Sequence, residues 1–515
     1  MLNKQRVLSA VTVSAAAVLG LSLLLPGQAN AQVKPGIVTI VLEEEPEGLD
    51  GCNANRSTPG RVIRQNVVET LTEINPDDGS ITPLLATSWE RVNDSTWRFK
   101  LRQGVKFHDG EPFNAKNAAW AMARTLDTEL SCETRTKSFG KLKLKGVAVD
   151  EYTLDIVATP PDPLVPTRMG VLSLVSPKTP LDKLTLTPVG TGAYKIDKWT
   201  AGQEIIASKN KDWWGKQTNI EGVRYVWRGE SSVRAAMVKV GEADFAPTIG
   251  VNEATEPKMD FSYPNSETTK LRIEMGRKPL DDIRVRMALN LAFDRYSVLG
   301  TLLPKDSIHA TQIVVPSISG HNHEIDKKIR PYDPAKAKAL VAEAKAAGAN
   351  VGQEVLVIGR TNHFPGIVEL LETATLQFNT AGMNTKVKMT EVAEWLEYQN
   401  KPHRPDRSPI LFMGMHDNNN GDAVFSMANK MTCGGLQSFL CNPKVDELID
   451  KATIAPVGPE RVKLWQESMR IIYEDMVAHV WLYHMVGYSR VGSRINFKPS
   501  ISTNSEIQIS KMTLK

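Results

Sequence analysis

The stretch EVLVIGRTNHFPGIVELLETATLQFNTAGMNTKVKM, residues 354–389, decides the fold class. Its opening, Glu354 to Ile358, is a short apolar run of strand length. Gly366 to Thr380 reads as a helix, and Thr385 to Met389 returns to a strand. Strand, helix and strand in this order make a β-α-β unit, which builds a sheet covered by helices. The chain is therefore read as mixed α/β.

The same alternation extends in both directions. Toward the C-terminus, Ile410 to Met413 is β-like and opens into a polar loop, His416 to Asp422. Val445 to Thr453 and Glu460 to Met476 are expected to be helices. Toward the N-terminus, Pro334 to Ala347 is an Ala/Lys-rich helix with Asp333 as its cap, Pro334 in its first turn and Gly348 as its stop. Asp281 to Leu303 carries an apolar stripe (Val285, Ala288, Leu289, Ala292) and is expected to be one long helix. Asn114 caps a helix over Ala115 to Leu126. Arg61 to Thr72 also has helical spacing, while Trp97 to Arg102 and Tyr152 to Val157 read as strands. Ile37 to Leu42 is a first strand that runs into the acidic turn Glu43 to Asp50. No internal repeat is visible.

The N-terminus reads as an export signal. Lys4 and Arg6 form a basic start, an apolar run follows from Val7 to Leu25, and Ala29-Asn30-Ala31 offers a small-x-small cleavage site. Residues 1–31 are expected to leave, with Gln32 first in the mature chain. The apolar run is short for a membrane span, and no second span follows. No cysteine sits just after the cleavage point, so a lipid-anchored product is not expected. A soluble protein of the Gram-negative periplasm is expected.

The 515 residues are 41% hydrophobic and 23% charged, ordinary usage for a globular protein. At this length roughly two to four domains or lobes are expected. The formal charge of +4 includes Lys4 and Arg6, so the mature chain is near neutral. No basic arm or charge run calls for nucleic acid. Four cysteines in an oxidising compartment suggest two disulfides out of three possible connectivities. Local spacing favours Cys433–Cys441, leaving Cys52–Cys132.

Four blocks carry a family resemblance. The first is Pro83-Leu84-Leu85-Ala86-Thr87-Ser88-Trp89-Glu90 with Trp97 to Ala115 (WRFKLRQGVKFHDGEPFNA). The second is Val189-Gly190-Thr191-Gly192-Ala193-Tyr194 with Lys209 to Gly215 (KNKDWWG). The third is Pro279 to Asn290 (PLDDIRVRMALN) with Asp294-Arg295. The fourth is Tyr332-Asp333-Pro334-Ala335-Lys336-Ala337. In order and separation they resemble the solute-binding proteins of family 5, which include dipeptide-, oligopeptide-, glutathione- and nickel-binding members. Taken alone, the glycines of these blocks read as turn and crossover positions.

The resemblance implies a two-lobed periplasmic binding protein-like fold (type II, cluster C-like) with an extra subdomain in the first lobe. Lobe 1 would span residues 32–271 and lobe 2 residues 272–482, with 483–515 returning to lobe 1. The lobes would be joined by crossings near Leu271–Gly276 and Trp481–Tyr488 and would close on a ligand. It further implies a monomeric binding component of an ABC importer, delivering short peptides to an inner-membrane permease and ATPase complex. No cofactor and no catalysis are implied, and neither GxSxG nor HExxH occurs.

In peptide binders of this family an aspartate after the Phe412–Met415 strand clamps the α-amine. Alignment back from Gly421-Asp422 puts Asn419 there, with Asp417 as the alternative. Arg360 is expected to meet the ligand carboxylate. Glu45, Trp395 and Tyr398 stand where the family lines its cleft, although core packing is the ordinary use for the two aromatics. His321-Asn322-His323 has close spacing for a metal. The competing solutes are an opine-like or sugar conjugate, an oligosaccharide and a nickel or other metal chelate. A secreted hydrolase and a periplasmic sensor partner or chaperone are the readings from other classes.

Overall fold

In the computed structural model, one sheet carries the chain from end to end. Residues 35–75, 79–140, 142–361, 363–418 and 420–515 are described; the expected signal segment 1–31 and Asn419 lie outside them. The strands of this sheet lie in the order Thr385–Thr390, Val355–Arg360, Ile410–Asp417, Asp260–Ile273, His479–Val491, Phe245–Ile249, Ile37–Leu42, Gly222–Trp227, Glu204–Lys209 and Tyr194–Thr200. The short pair Ile308–His309 joins His479–Val491 from the side. Among the described residues no helix is long and apolar enough to cross a membrane.

The deciding stretch forms as read. Val355–Arg360 and Thr385–Thr390 pair in parallel, with Ile367–Thr380 as the crossover helix. Its apolar side (Leu370, Leu371, Ala374, Phe378) packs with Val355 and Val357 in one core. On the other side of the sheet order, Ile37–Leu42 pairs in parallel with Gly222–Trp227. Val38, Ile40 and Leu42 point into a core shared with Ile507, Ile509 and Met512 of the C-terminal tail.

Two long strands connect these regions. Asp260–Ile273 and His479–Val491 run antiparallel, and their register breaks between Pro264 and Thr268. Pro264 has no N–H to give to a ladder, which fits a break at that point. Before it, His479–Val491 pairs with Phe245–Ile249; after it, Glu267–Ile273 pairs with Ile410–Asp417. A separate four-stranded sheet (Ala86–Asn93, Thr96–Leu101, Thr153–Thr159, Lys143–Asp150) has its own core of Phe99, Leu154 and Ile156. The helix Ala115–Leu126 covers it, capped by Asn114 Oδ1, which accepts from the Asn117 amide at 3.0 Å. Both disulfides, Cys52–Cys132 and Cys433–Cys441, join the pairs that spacing favoured.

Four expectations fail locally. Helix covers Ser57–Ile63 rather than Arg61–Thr72. Residues 66–68 are instead crossed at close range by Gly190 and Gly192, where a Cβ would meet the Val67 and Asn66 carbonyl oxygens at 2.0 and 2.3 Å. The helix expected over Asp281 to Leu303 is Ile283–Ala292. It stops because the buried Arg295 side chain turns back to donate to the carbonyls of Trp481 and Asn290 at 2.8 and 2.9 Å. Pro459–Arg470 ends the α-helix six residues early, the chain continuing as a wider π turn over Ile471–Asp475. His416 and Asp417, placed in a loop by their polarity, are the last two residues of the strand Ile410–Asp417.

Candidate ligand-binding site

Arg360 and Asp417 both terminate strands. Val355–Arg360 and Ile410–Asp417 are neighbours and parallel, so both residues project from the C-terminal edge of the same sheet. In α/β sheets this edge is where ligands bind, because the loops that follow the strands open there. Glu43 and Glu44 leave the C-terminal end of another parallel strand, Ile37–Leu42. The antiparallel strand Asp260–Ile273 then adds Glu267, directly opposite Asp417 in the ladder.

These groups share one electrostatic environment. Burial, and then the neighbouring Asp417 carboxylate, push the Glu267 carboxyl up to about 8. Asp417 Oδ1 accepts a hydrogen bond from Ser266 Oγ at 2.5 Å. Arg360 is pulled below its ordinary value by burial, against the favourable pull of Glu44 and Glu267. Its buried Nε has no hydrogen-bond partner, and its guanidinium carbon lies 5.7 Å from the Trp395 ring centre. Glu44 is raised by burial and by Glu43, and Glu43 itself is tied to Arg61 and held low despite its burial. Lys137 keeps 58% of its side chain accessible yet is lowered by the protein around it, with Asp417 and Glu47 opposing.

The arrangement can hold a zwitterion. Two acidic groups, Asp417 with Glu267 opposite it in the ladder, stand at the same sheet edge as the guanidinium of Arg360, whose buried Nε has no hydrogen-bond partner. A charge-assisted bond at each end would orient a small ligand without reading its middle.

The other expected residues go elsewhere. Glu45 turns to the hairpin beside it, where Oε1 accepts from Trp199 Nε1 at 2.9 Å and from the Gly202 amide at 3.1 Å. Trp395 is buried in a small core with Ile358, Ile410, Phe412 and Phe439, one step behind Arg360. Tyr398 accepts from Lys388 Nζ at 3.0 Å, in a surface group with Glu394. Asn419 lies outside the described residues. His321, His323 and Asp326 bring ligand atoms within 4.8 Å of one another. Both His321 ring nitrogens are nevertheless engaged, with the Val314 carbonyl at 2.9 Å and Asp326 Oδ2 at 2.7 Å.

Reading the sequence missed Glu267 and Lys430. The Glu267 carboxylate matters because the ladder puts it against Asp417, and nothing near it in sequence announces that pairing. Lys430 follows the short helix Val424–Met427, and burial, then Arg272 and Lys137, push its amine down to about 7.

The profile of the bacterial extracellular solute-binding proteins, family 5 Middle, matches residues 80–437. The "Dipeptide-binding protein" of Escherichia coli (strain K12) is 24% identical over 510 residues, covering 91% of this chain and 94% of that protein. The "Di/tripeptide-binding protein 2" of Pseudomonas aeruginosa (strain UCBPP-PA14) is 24% identical, covering 88% of this chain and 91% of its own. In three dimensions the fold is shared with a dipeptide-binding protein of Pseudoalteromonas sp. SM9913 solved with Met-Leu. The TM-score is 0.79 at 18% identity, over 93% of this chain and all of that one.

Proposed function

We propose, from the premise that this chain belongs to the bacterial extracellular solute-binding proteins of family 5, that it captures short peptides outside the inner membrane for an ABC importer. The observation that carries the reading is the placement of opposite charges at one sheet edge: Asp417, with Glu267 opposite it, for an α-amine and Arg360 at the end of the neighbouring parallel strand for a carboxylate. Peptides are the common solutes that present one cation and one anion at a short, regular separation. The relatives named for di- and tripeptides support the choice.

Mechanically, the register break at Pro264–Thr268 supports a hinge. Residues 36–264 with 486–515 would form one lobe and residues 268–484 the other, a few residues from the boundary expected at 271. Closure is favoured by a ligand only through contacts that exist in the closed state. Arg360 and Asp417 on one side, and Glu44 on the other, supply such contacts. The remaining parts of the reading are export through residues 1–31, a monomeric receptor and delivery to a permease and ATPase complex without chemical change to the solute.

The test is native mass spectrometry of the exported protein, followed by calorimetric titration with Ala-Leu, Leu-Leu and tri-alanine. A retained mass of a di- to pentapeptide and binding by at least one peptide are expected. A retained sugar or metal complex, with no heat from any peptide, would refute it.

A further inference from the structure

Among the described residues, one group of histidine and carboxylate side chains gathers as metal ligands do: His321, His323 and Asp326. It belongs to other elements than Arg360 and Asp417, namely the loop after Ile318 and the short helix His323–Asp326. A spacing of three residues sets His323 and Asp326 on one side of that helix. Asn322 caps it, accepting from the Glu324 amide at 3.0 Å. Asn322 Nδ2 also donates to the Gln466 carbonyl at 3.0 Å, and Gln466 Nε2 returns a bond to the His321 carbonyl at 2.9 Å. The group is thereby moored to the helix Pro459–Arg470.

The two engagements of the His321 ring call for a cation. The residue is 4% exposed. The Val314 carbonyl oxygen, 2.9 Å from Nδ1, can only accept, so Nδ1 carries a hydrogen. The other nitrogen, Nε2, faces Asp326 Oδ2 at 2.7 Å. A ring lone pair and a carboxylate oxygen repel at that distance, so a cation belongs between them, either a second proton or a metal ion. In histidine ligands the nitrogen away from the metal commonly donates to a backbone carbonyl, which fixes the tautomer. Asp326 Oδ1 is likewise held, accepting from Thr311 Oγ1 at 2.6 Å and from Gln312 Nε2 at 3.2 Å, while Oδ2 is turned to both histidines. Gln312 Nε2 also stands 3.2 Å from His321 Nε2, and its two hydrogens go to the Asn322 carbonyl at 3.0 Å and to Asp326 Oδ1.

A shared proton needs two partners, and here there is a third. His323 Nδ1 is 3.8 Å from the same Asp326 Oδ2, and the three ligand atoms all lie within 4.8 Å of one another. Around an ion with bonds of about 2.0–2.2 Å, ligand atoms stand about 3–3.5 Å apart, so shifts of about an ångström or less close the set. His323, with 69% of its side chain accessible, has the room to make them and leaves a way in from solvent. We propose that His321 Nε2, His323 Nδ1 and Asp326 Oδ2 bind a divalent transition-metal ion of the class that imidazole prefers, such as zinc, with water completing its coordination. Such an ion braces the loop against the helix. It is part of the receptor and not its cargo, so the site stands whether or not the solute is a peptide.

Calorimetric titration of the untagged, exported protein after chelator treatment tests the site with zinc chloride, and with magnesium and calcium chlorides as controls. One zinc per chain is expected, together with a rise in Tm, and no heat from magnesium or calcium, which prefer oxygen ligands. His323→Ala and Asp326→Asn should each weaken zinc binding at least about tenfold and remove most of the rise in Tm. Melting of the metal-free variants shows that they are folded, and His323→Ala, at an exposed position, should melt with the wild type. Zinc binding that both variants retain puts the ion elsewhere and overturns the site. No zinc binding by the wild type leaves a proton between His321 and Asp326 and overturns it as well. Heat from calcium or magnesium that both variants lose overturns the choice of a transition metal.

Discussion

Glu267 gives the sharpest handle on the proposed site, because its proton and the ligand's amine compete for the same place. In the ligand-free protein its carboxyl sits at about 8, raised first by burial and then by Asp417. At pH 7 about nine in ten molecules therefore carry that proton. An ammonium placed between Asp417 and Glu267 favours the ionised form and should return the group toward its model value of 4.5. Binding then releases about 0.9 proton at pH 7, and affinity rises about ninefold from pH 6 to pH 7, where a peptide's own amine is still mostly charged. The stability consequence has the opposite sense. A folded-state value above the unfolded one means that Glu267 stabilises the empty protein at low pH. That contribution is lost as pH rises from about 4.5 through about 8, to the extent of about 3–4 kcal/mol between pH 5 and pH 8. Titrating a dipeptide in two buffers of different ionisation enthalpy measures the released proton directly. Glu267→Gln should bind without proton release and should flatten the fall in Tm of the empty protein between pH 5 and pH 8. Proton release near zero in the wild type, with affinity equal at pH 6 and pH 7, would refute the placement of the amine at this pair.

Three further outcomes follow from the same geometry. Arg360→Ala and Asp417→Ala should each weaken peptide binding by about thirtyfold or more in calorimetry, near 2 kcal/mol, with Tm almost unchanged because both stand at a strand end rather than in a core. Arg124→Met should destabilise the protein by about 3–5 kcal/mol in denaturant unfolding. It strands Asp50, which is fully buried and accepts from Arg124 Nη1 and Nη2 at 3.0 and 2.8 Å. Replacing the pair Cys52/Cys132 by serine should cost about 4–5 kcal/mol, against about 2–3 kcal/mol for Cys433/Cys441, measured by the same unfolding. The difference follows from separations of 80 and 8 residues, and the reverse order would refute loop closure as the cause.

What could be read from the sequence was whatever a short window decides. Asn114 and Asp333 each accept from the amide three residues on, so a cap and its helix occupy one turn and are visible together. Arg360 closes an apolar strand whose β-α-β context is local, so its place in the fold was legible, whereas the polarity of Asp417 hid that it ends a strand too. Arg61 to Thr72 misled because its apolar spacing is real, while its backbone is claimed by distant partners. Asn66 donates to the Ile507 carbonyl at 2.7 Å and accepts from the Ile509 amide at 2.9 Å, and Gly190 and Gly192 leave no room for side chains above it. The covered faces of the sheet stayed hidden for a related reason. Lys270 and Arg272 alternate with Leu271 and Ile273, the pattern of a strand with one wet face, yet both faces are covered. Neighbouring strands fill only the edges of this strand, and its faces are covered by packing from distant parts of the chain. Its charges must then be paired within the chain or answered from outside. Here no carboxylate of the described residues forms an ion pair with either, and Arg272 lies instead against the rings of Phe412 and Phe439, contacts that no window of sequence around it announces.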